Sequence, residues 1–137
     1  MTTPQPASFT DALLHPRLDD SNDSELDALD FGVIAFDTEG IVRRYNAFES
    51  TAAGLSPQRV LGSSLFDVVA PCMNNFLVAQ RFEDALAEGV KLDETINYVL
   101  TLRMRPVKVH LRLLAAPDSA MRYVLVHRPT GLSQRAP

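Results

Sequence analysis

The last third of the chain alternates apolar and polar residues, and this constrains the fold more than any other feature. In TINYVLTLRM, Ile96, Tyr98, Leu100, Leu102 and Met104 fall on one side of an extended segment. In KVHLRL, Val109, Leu111 and Leu113 oppose Lys108, His110 and Arg112. After the turn PDSA, RYVLVHR reads as a further strand rich in β-branched and aromatic residues. Three consecutive strands with short connections predict an antiparallel meander, whose apolar face must be covered by something else in the chain.

The cover is upstream. FGVIAF is a short apolar strand, DTEG a turn in which Gly40 can take positive φ, and IVRRYN a second strand, so the three predict a hairpin. Pro57 opens a helical turn after Ser56, and Gly62 closes it. Pro71 disfavours helix at Ala70, which leaves Cys72 beside a bend. NFLVAQRFEDALAE places Phe76, Ala79, Phe82 and Leu86 on one helical face, stopped by Gly89. The first residues are rich in Pro, Ser, Asp and Thr; within them FTDALLHPRL predicts one helical turn that Pro16 ends. The expected architecture is α+β: a five-stranded antiparallel sheet with helices mainly on one face. Residues 1–25 are expected to form a weakly ordered N-terminal cap, 26–128 the domain, and 129–137 a flexible tail.

A length of 137 residues suits one domain, and 46% hydrophobic residues suffice for a core. With 13 basic and 17 acidic residues, the net charge of -4 gives no footprint for nucleic acid. No apolar run approaches the ~20 residues that span a bilayer. No basic start is followed by an apolar block, so no secretory signal is expected. One cysteine and no signal point to the cytoplasm. That cysteine, Cys72, is an inert core thiol, a metal or redox group, a nucleophile, or an attachment point. His15, His110 and His127 show no metal-ligand spacing with it, and none has a recognisable spacing as its base, so neither a metal site nor an enzyme is expected.

The segments LDALDFGVIAFDTEGIVRRYNAFE, LFDVVAPC and MRPVKVHLRL narrow the choice. Their order, a hairpin, a helical crossing and a three-stranded meander, is that of a PAS domain, and their residues resemble the photoactive yellow protein family from about Leu26 to about His127. The resemblance implies a PAS fold and a blue-light photoreceptor, with p-coumaric acid (4-hydroxycinnamic acid) held as a thioester on Cys72. It implies that Tyr45 and Glu49 hydrogen-bond the chromophore phenolate, and that Met104 matches a methionine near the ring. Ala53 and Leu55 stand where the family often carries Thr and Arg, so the pocket lacks a hydroxyl and a cationic lid. Phe66, Val69, Phe82, Tyr98 and Leu100 complete the expected pocket.

The chemistry is coherent. A thiolate accepts an acyl group to form a thioester. A buried phenolate needs donors, which a tyrosine hydroxyl and a protonated carboxylic acid supply. Glu49 is therefore expected to be neutral, and to yield its proton when light isomerises the chromophore; the cap then loosens. The implied partner is an unidentified signalling protein, with no nucleic acid, no membrane, and a monomer or weak homodimer. The alternative is a non-photoactive PAS module that binds another ligand or none.

Overall fold

The computed structural model describes residues 7–101 and 106–129. The helices α1 (Leu14–Asp20) and α2 (Asp23–Asp27) precede a hairpin of β1 (Gly32–Phe36) and β2 (Val42–Tyr45). α3 (Ala47–Ala53), α4 (Pro57–Val60), a π-helical turn (Leu65–Val69), a 3-10 turn (Pro71–Met73) and α5 (Ala79–Glu88) then cross to β3 (Leu92–Leu100), β4 (Val107–Ala115) and β5 (Arg122–His127). The five strands form one sheet in the order β2-β1-β5-β4-β3, and every neighbouring pair is antiparallel. The expected α+β class and its five strands are present. Met104, the matching end of the predicted strand and residues 130–137 lie outside the described residues.

Period-two alternation sorts the side chains onto two faces. Ile34, Phe36, Val109, Leu111, Leu113, Val124 and Val126 join the apolar cluster beneath α4, the two turns and α5. Val33, Ala35, Leu114, Tyr123 and Leu125 join a second cluster with Leu14, Leu18, Leu26 and Phe31. The sheet is therefore buried on both faces, with α1 and α2 on the one opposite the crossing helices.

Two local expectations change. Pro16 does not end its helix; it lies in the first turn of α1, where a missing N–H breaks no intrahelical bond. α5 begins only at Ala79, because the Asn75 carboxamide accepts the backbone N–H groups of Leu77 and Val78 in a turn. Phe76 therefore falls outside the helix and is 82% exposed, as Leu86 is 51% exposed, while Ala79, Phe82 and Ala85 form the buried face. Gly89 ends α5 in the left-handed region at φ 64°, as expected.

Candidate functional site

The residues YNAFE fold around Asn46. Its carboxamide oxygen accepts from Glu49 N at 3.1 Å, capping α3, and from Val33 N at 2.9 Å. Its NH₂ group donates to Leu26 O at 2.8 Å and Phe31 O at 3.0 Å. One side chain thus uses both ends to pin the start of α3 to β1 and to the end of α2. Tyr45 sits at the last position of β2, and Glu49 one turn into α3. Asn46 carries the geometry of the pair, and its signal in the sequence is an Asn three residues before a Glu at a helix start.

Glu49 is 2% exposed. Its carboxylate lies against β1 at Gly32: a Cβ built there would overlap Glu49 Oε1 and stand 3.0 Å from its Cδ. Glycine in this apolar strand marks a close approach of another group to the backbone. A Gly32→Ala substitution should therefore displace the carboxylate or part α3 from β1. The expected loss is about 1–3 kcal/mol, read as a fall in Tm with the Glu49 contacts broken.

The occupant facing Glu49 is Arg128. It donates from Nη1 to Oε1 at 2.7 Å and from Nη2 to Oε2 at 3.1 Å. Burial pushes the Glu49 carboxyl up from the ordinary carboxylate range, while the bonds and charge of Arg128 pull it back; the net direction is upward. A raised value means that Glu49 favours folding most below the unfolded carboxylate pKa, and that this contribution fades as pH rises through the folded one. Burial, with the Glu49 charge adding to it, also holds the Tyr45 hydroxyl well above the usual phenol value, so it is a donor across the working pH range. An ionised Glu49 is thus not an isolated buried charge, because a fork-shaped cation is already in place.

Cys72 lies at the centre of the 3-10 turn, half-buried and unpaired with any other cysteine. Tyr98 anchors this turn from β3, its hydroxyl donating to Cys72 O at 2.5 Å. Asn75 Nδ2 donates to the same carbonyl at 3.2 Å and to the Tyr98 hydroxyl at 2.6 Å. The backbone at position 72 is therefore fixed independently of the thiol.

The predicted pocket residues largely converge. Tyr45, Phe82 and Leu100 are buried in one apolar cluster, and Leu55, Phe66, Val69, Cys72 and Tyr98 pack against it. Phe36 meets Phe66 and Phe82 edge to face at 5.5 and 4.9 Å between ring centroids. Ala53 is buried on α3 but outside this cluster. The arrangement offers a fixed thiol position and a wall of aliphatic and aromatic side chains. A tyrosine hydroxyl shares that wall, with a carboxyl one helical turn further on. Such a lining takes an apolar group with a polar end.

The PAS fold family matches residues 26–128. A photoactive yellow protein from Rhodothalassium salexigens is 37% identical over 102 residues, spanning 73% of this chain and 81% of the relative. The chain belongs to the photoactive yellow protein family. Its counterpart from Halochromatium salexigens is 37% identical over 100 residues, covering 72% of this chain and 79% of that one. Among solved structures, the photoactive yellow protein domain of the sensor histidine kinase Ppr from Rhodospirillum centenum superposes with a TM-score of 0.76 at 34% identity. That match covers 82% of this chain and 98% of that domain. Among the described residues, no helix is long and apolar enough to cross a membrane.

Proposed function

We propose that this photoactive yellow protein relative is a blue-light sensor that carries p-coumaric acid as a thioester on Cys72. The observation that supports it most is that the lone, half-buried thiol borders the same apolar cluster that buries Tyr45, with the Glu49 carboxyl one helical turn beyond. When bound, the chromophore supplies blue-light absorption and a light-driven change of shape. The protein supplies the rest. Cys72 holds the acyl end, its backbone fixed by Tyr98 and Asn75. The aromatic and aliphatic wall keeps water from the ring. Tyr45 donates a hydrogen bond to the phenolate oxygen, and Glu49 shares a proton with it. After illumination Glu49 passes that proton to the phenolate oxygen, and a carboxylate replaces a neutral acid at a buried position beside β1. The N-terminal segment then detaches and is read by a separate signalling protein. The protein acts as a sensor, with no catalytic residues assigned.

The test is to add activated p-coumaric acid to the full chain and record absorption in darkness and under blue light. A yellow band that fades and recovers supports the proposal; a colourless product overturns it. Glu49→Gln should keep the band yet lose the new charge. Hydrogen exchange across residues 7–29 should then rise under light in the parent protein and remain near its dark level in the variant. Full light-driven exchange in Glu49→Gln would remove Glu49 from the mechanism.

A further inference from the structure

Arg128 plays no part in the expectations drawn from the sequence, and nothing in the motif around Glu49 calls for it. The sheet brings it there. The β1–β5 register pairs Gly32 with Val126, so residue 128 emerges two positions on, beside the start of β1 where the Glu49 carboxyl rests. Both carboxylate oxygens are engaged by one guanidinium, at 2.7 and 3.1 Å, and the Arg128 side chain is itself only 16% exposed. A two-pronged contact of this kind is the geometry of a matched ion pair, not a passing surface contact.

The other groups around the carboxyl leave this role to Arg128. Tyr45, from β2, is a neutral hydroxyl. β1 presents Gly32 and Val33 at its start, and Phe31 precedes them, none of them ionisable. From α2, Asp27 turns to the Ala47 N–H at 2.7 Å, at the far end of the first turn of α3. Leu55 stands where the family resemblance leads one to expect an arginine.

We propose that Arg128 is the counter-cation of the light-sensing site, a positioning residue that holds Glu49 ionised until a phenol engages it and then faces the one negative charge that Glu49 and the phenol share. This deepens the photoreceptor proposal and, for its second half, rests on it. The charge count makes the role specific. With Arg128 present, Glu49 as an acid beside a phenolate and Glu49 as a carboxylate beside a phenol both leave the site neutral; one proton has moved between two oxygens. Without Arg128 both arrangements carry a net negative charge, and the site takes up a further proton more readily whichever oxygen holds it. Arg128 also immediately follows His127, whose ring packs 5.2 Å from that of Phe9 in the N-terminal segment. A change of charge on Glu49 is thereby felt one residue away from a contact of that segment.

The experiment has two stages, both on the full chain. Before any chromophore is added, infrared spectra are recorded across a pH series for the parent protein, Arg128→Gln and Arg128→Lys, with Glu49→Gln to assign the carboxyl band. The protonated Glu49 signal should persist to a pH about one to three units higher in Arg128→Gln, a tenfold or greater gain in proton affinity per unit. Arg128→Lys should fall between, because it restores the charge without the fork. After treatment with activated p-coumaric acid, the midpoint of acid bleaching should rise in the same order. Coincident Glu49 titrations in all three proteins would overturn the assignment, whether or not pigment forms. A shifted titration with no pigment in any protein would support Arg128 as the cation of Glu49 and overturn the photoreceptor proposal alone.

Discussion

Cys72→Ser should abolish covalent pigment, with no added mass on the protein after exposure to activated p-coumaric acid and washing in denaturant. Acyl transfer needs a nucleophile that ionises near neutral pH, and a serine hydroxyl without an adjacent base does not. No histidine in the sequence has a recognisable spacing that would supply one. The variant is informative because it leaves the turn intact. Tyr98 and Asn75 both bind the carbonyl of residue 72, not its side chain. Exchange of sulfur for oxygen at a half-buried position should therefore change stability by less than about 1 kcal/mol. Circular dichroism and the melting curve should overlay those of the parent, while the mass shift and the visible band vanish together. A covalent adduct of undiminished yield would place the attachment elsewhere and remove Cys72 from the site.

The parts of this site legible in the sequence are those set by local chemistry. Tyr45, Asn46 and Glu49 lie within five residues, and a strand end, an N-cap and a helical turn fix their relation. Cys72 after Pro71 could be placed at a bend for the same reason. Alternation marks β3 and β4, and β-branched and aromatic content marks β5, so the meander is legible from composition and period together. What could not be read depends on register and on long-range packing. Arg128 and Glu49 are 79 positions apart and meet only because β5 lies beside β1. His110 and His127 lie 17 positions apart, yet the β4–β5 register sets them opposite one another, with rings stacked 5.6 Å apart. Phe76 was misplaced for a different reason. Its spacing fitted a helix, but the side chain of Asn75 offers the backbone a turn instead, and a local hydrogen bond outweighs periodicity at a helix start.

Arg112→Met should be the most disruptive substitution on the sheet face that carries the N-terminal segment, at about 2–3 kcal/mol. Alternation marks Arg112 as a polar position of β4, and in a sheet with one wet face it would be solvated. Here α1 and α2 cover that face, and Arg112 is 6% exposed. It spends its guanidinium on two tasks. Nε and Nη2 donate to the two oxygens of Asp93 on β3, each at 2.9 Å, and Nη1 donates to Phe9 O and Asp11 O, each at 2.8 Å. Methionine keeps the length and the apolar stem but leaves two carbonyls of the N-terminal segment without their donor. Asp93 is 37% exposed at its side chain and recovers water, which is why the expected loss stays below that of a fully buried pair. For a domain of this size the loss corresponds to a fall in Tm of about 6–12 °C. Lysine should rescue little, since one ammonium cannot reproduce the fork that reaches Asp93 and two carbonyls together. The segment should respond before the sheet does. Hydrogen exchange at residues 9–20 should rise in darkness, while β1 and β5 keep their protection. If release of this segment is the light signal, the dark Arg112→Met protein will resemble the illuminated parent there. A variant with raised dark exchange but an undiminished further rise under light would separate the anchor at Arg112 from the light-driven step at Glu49.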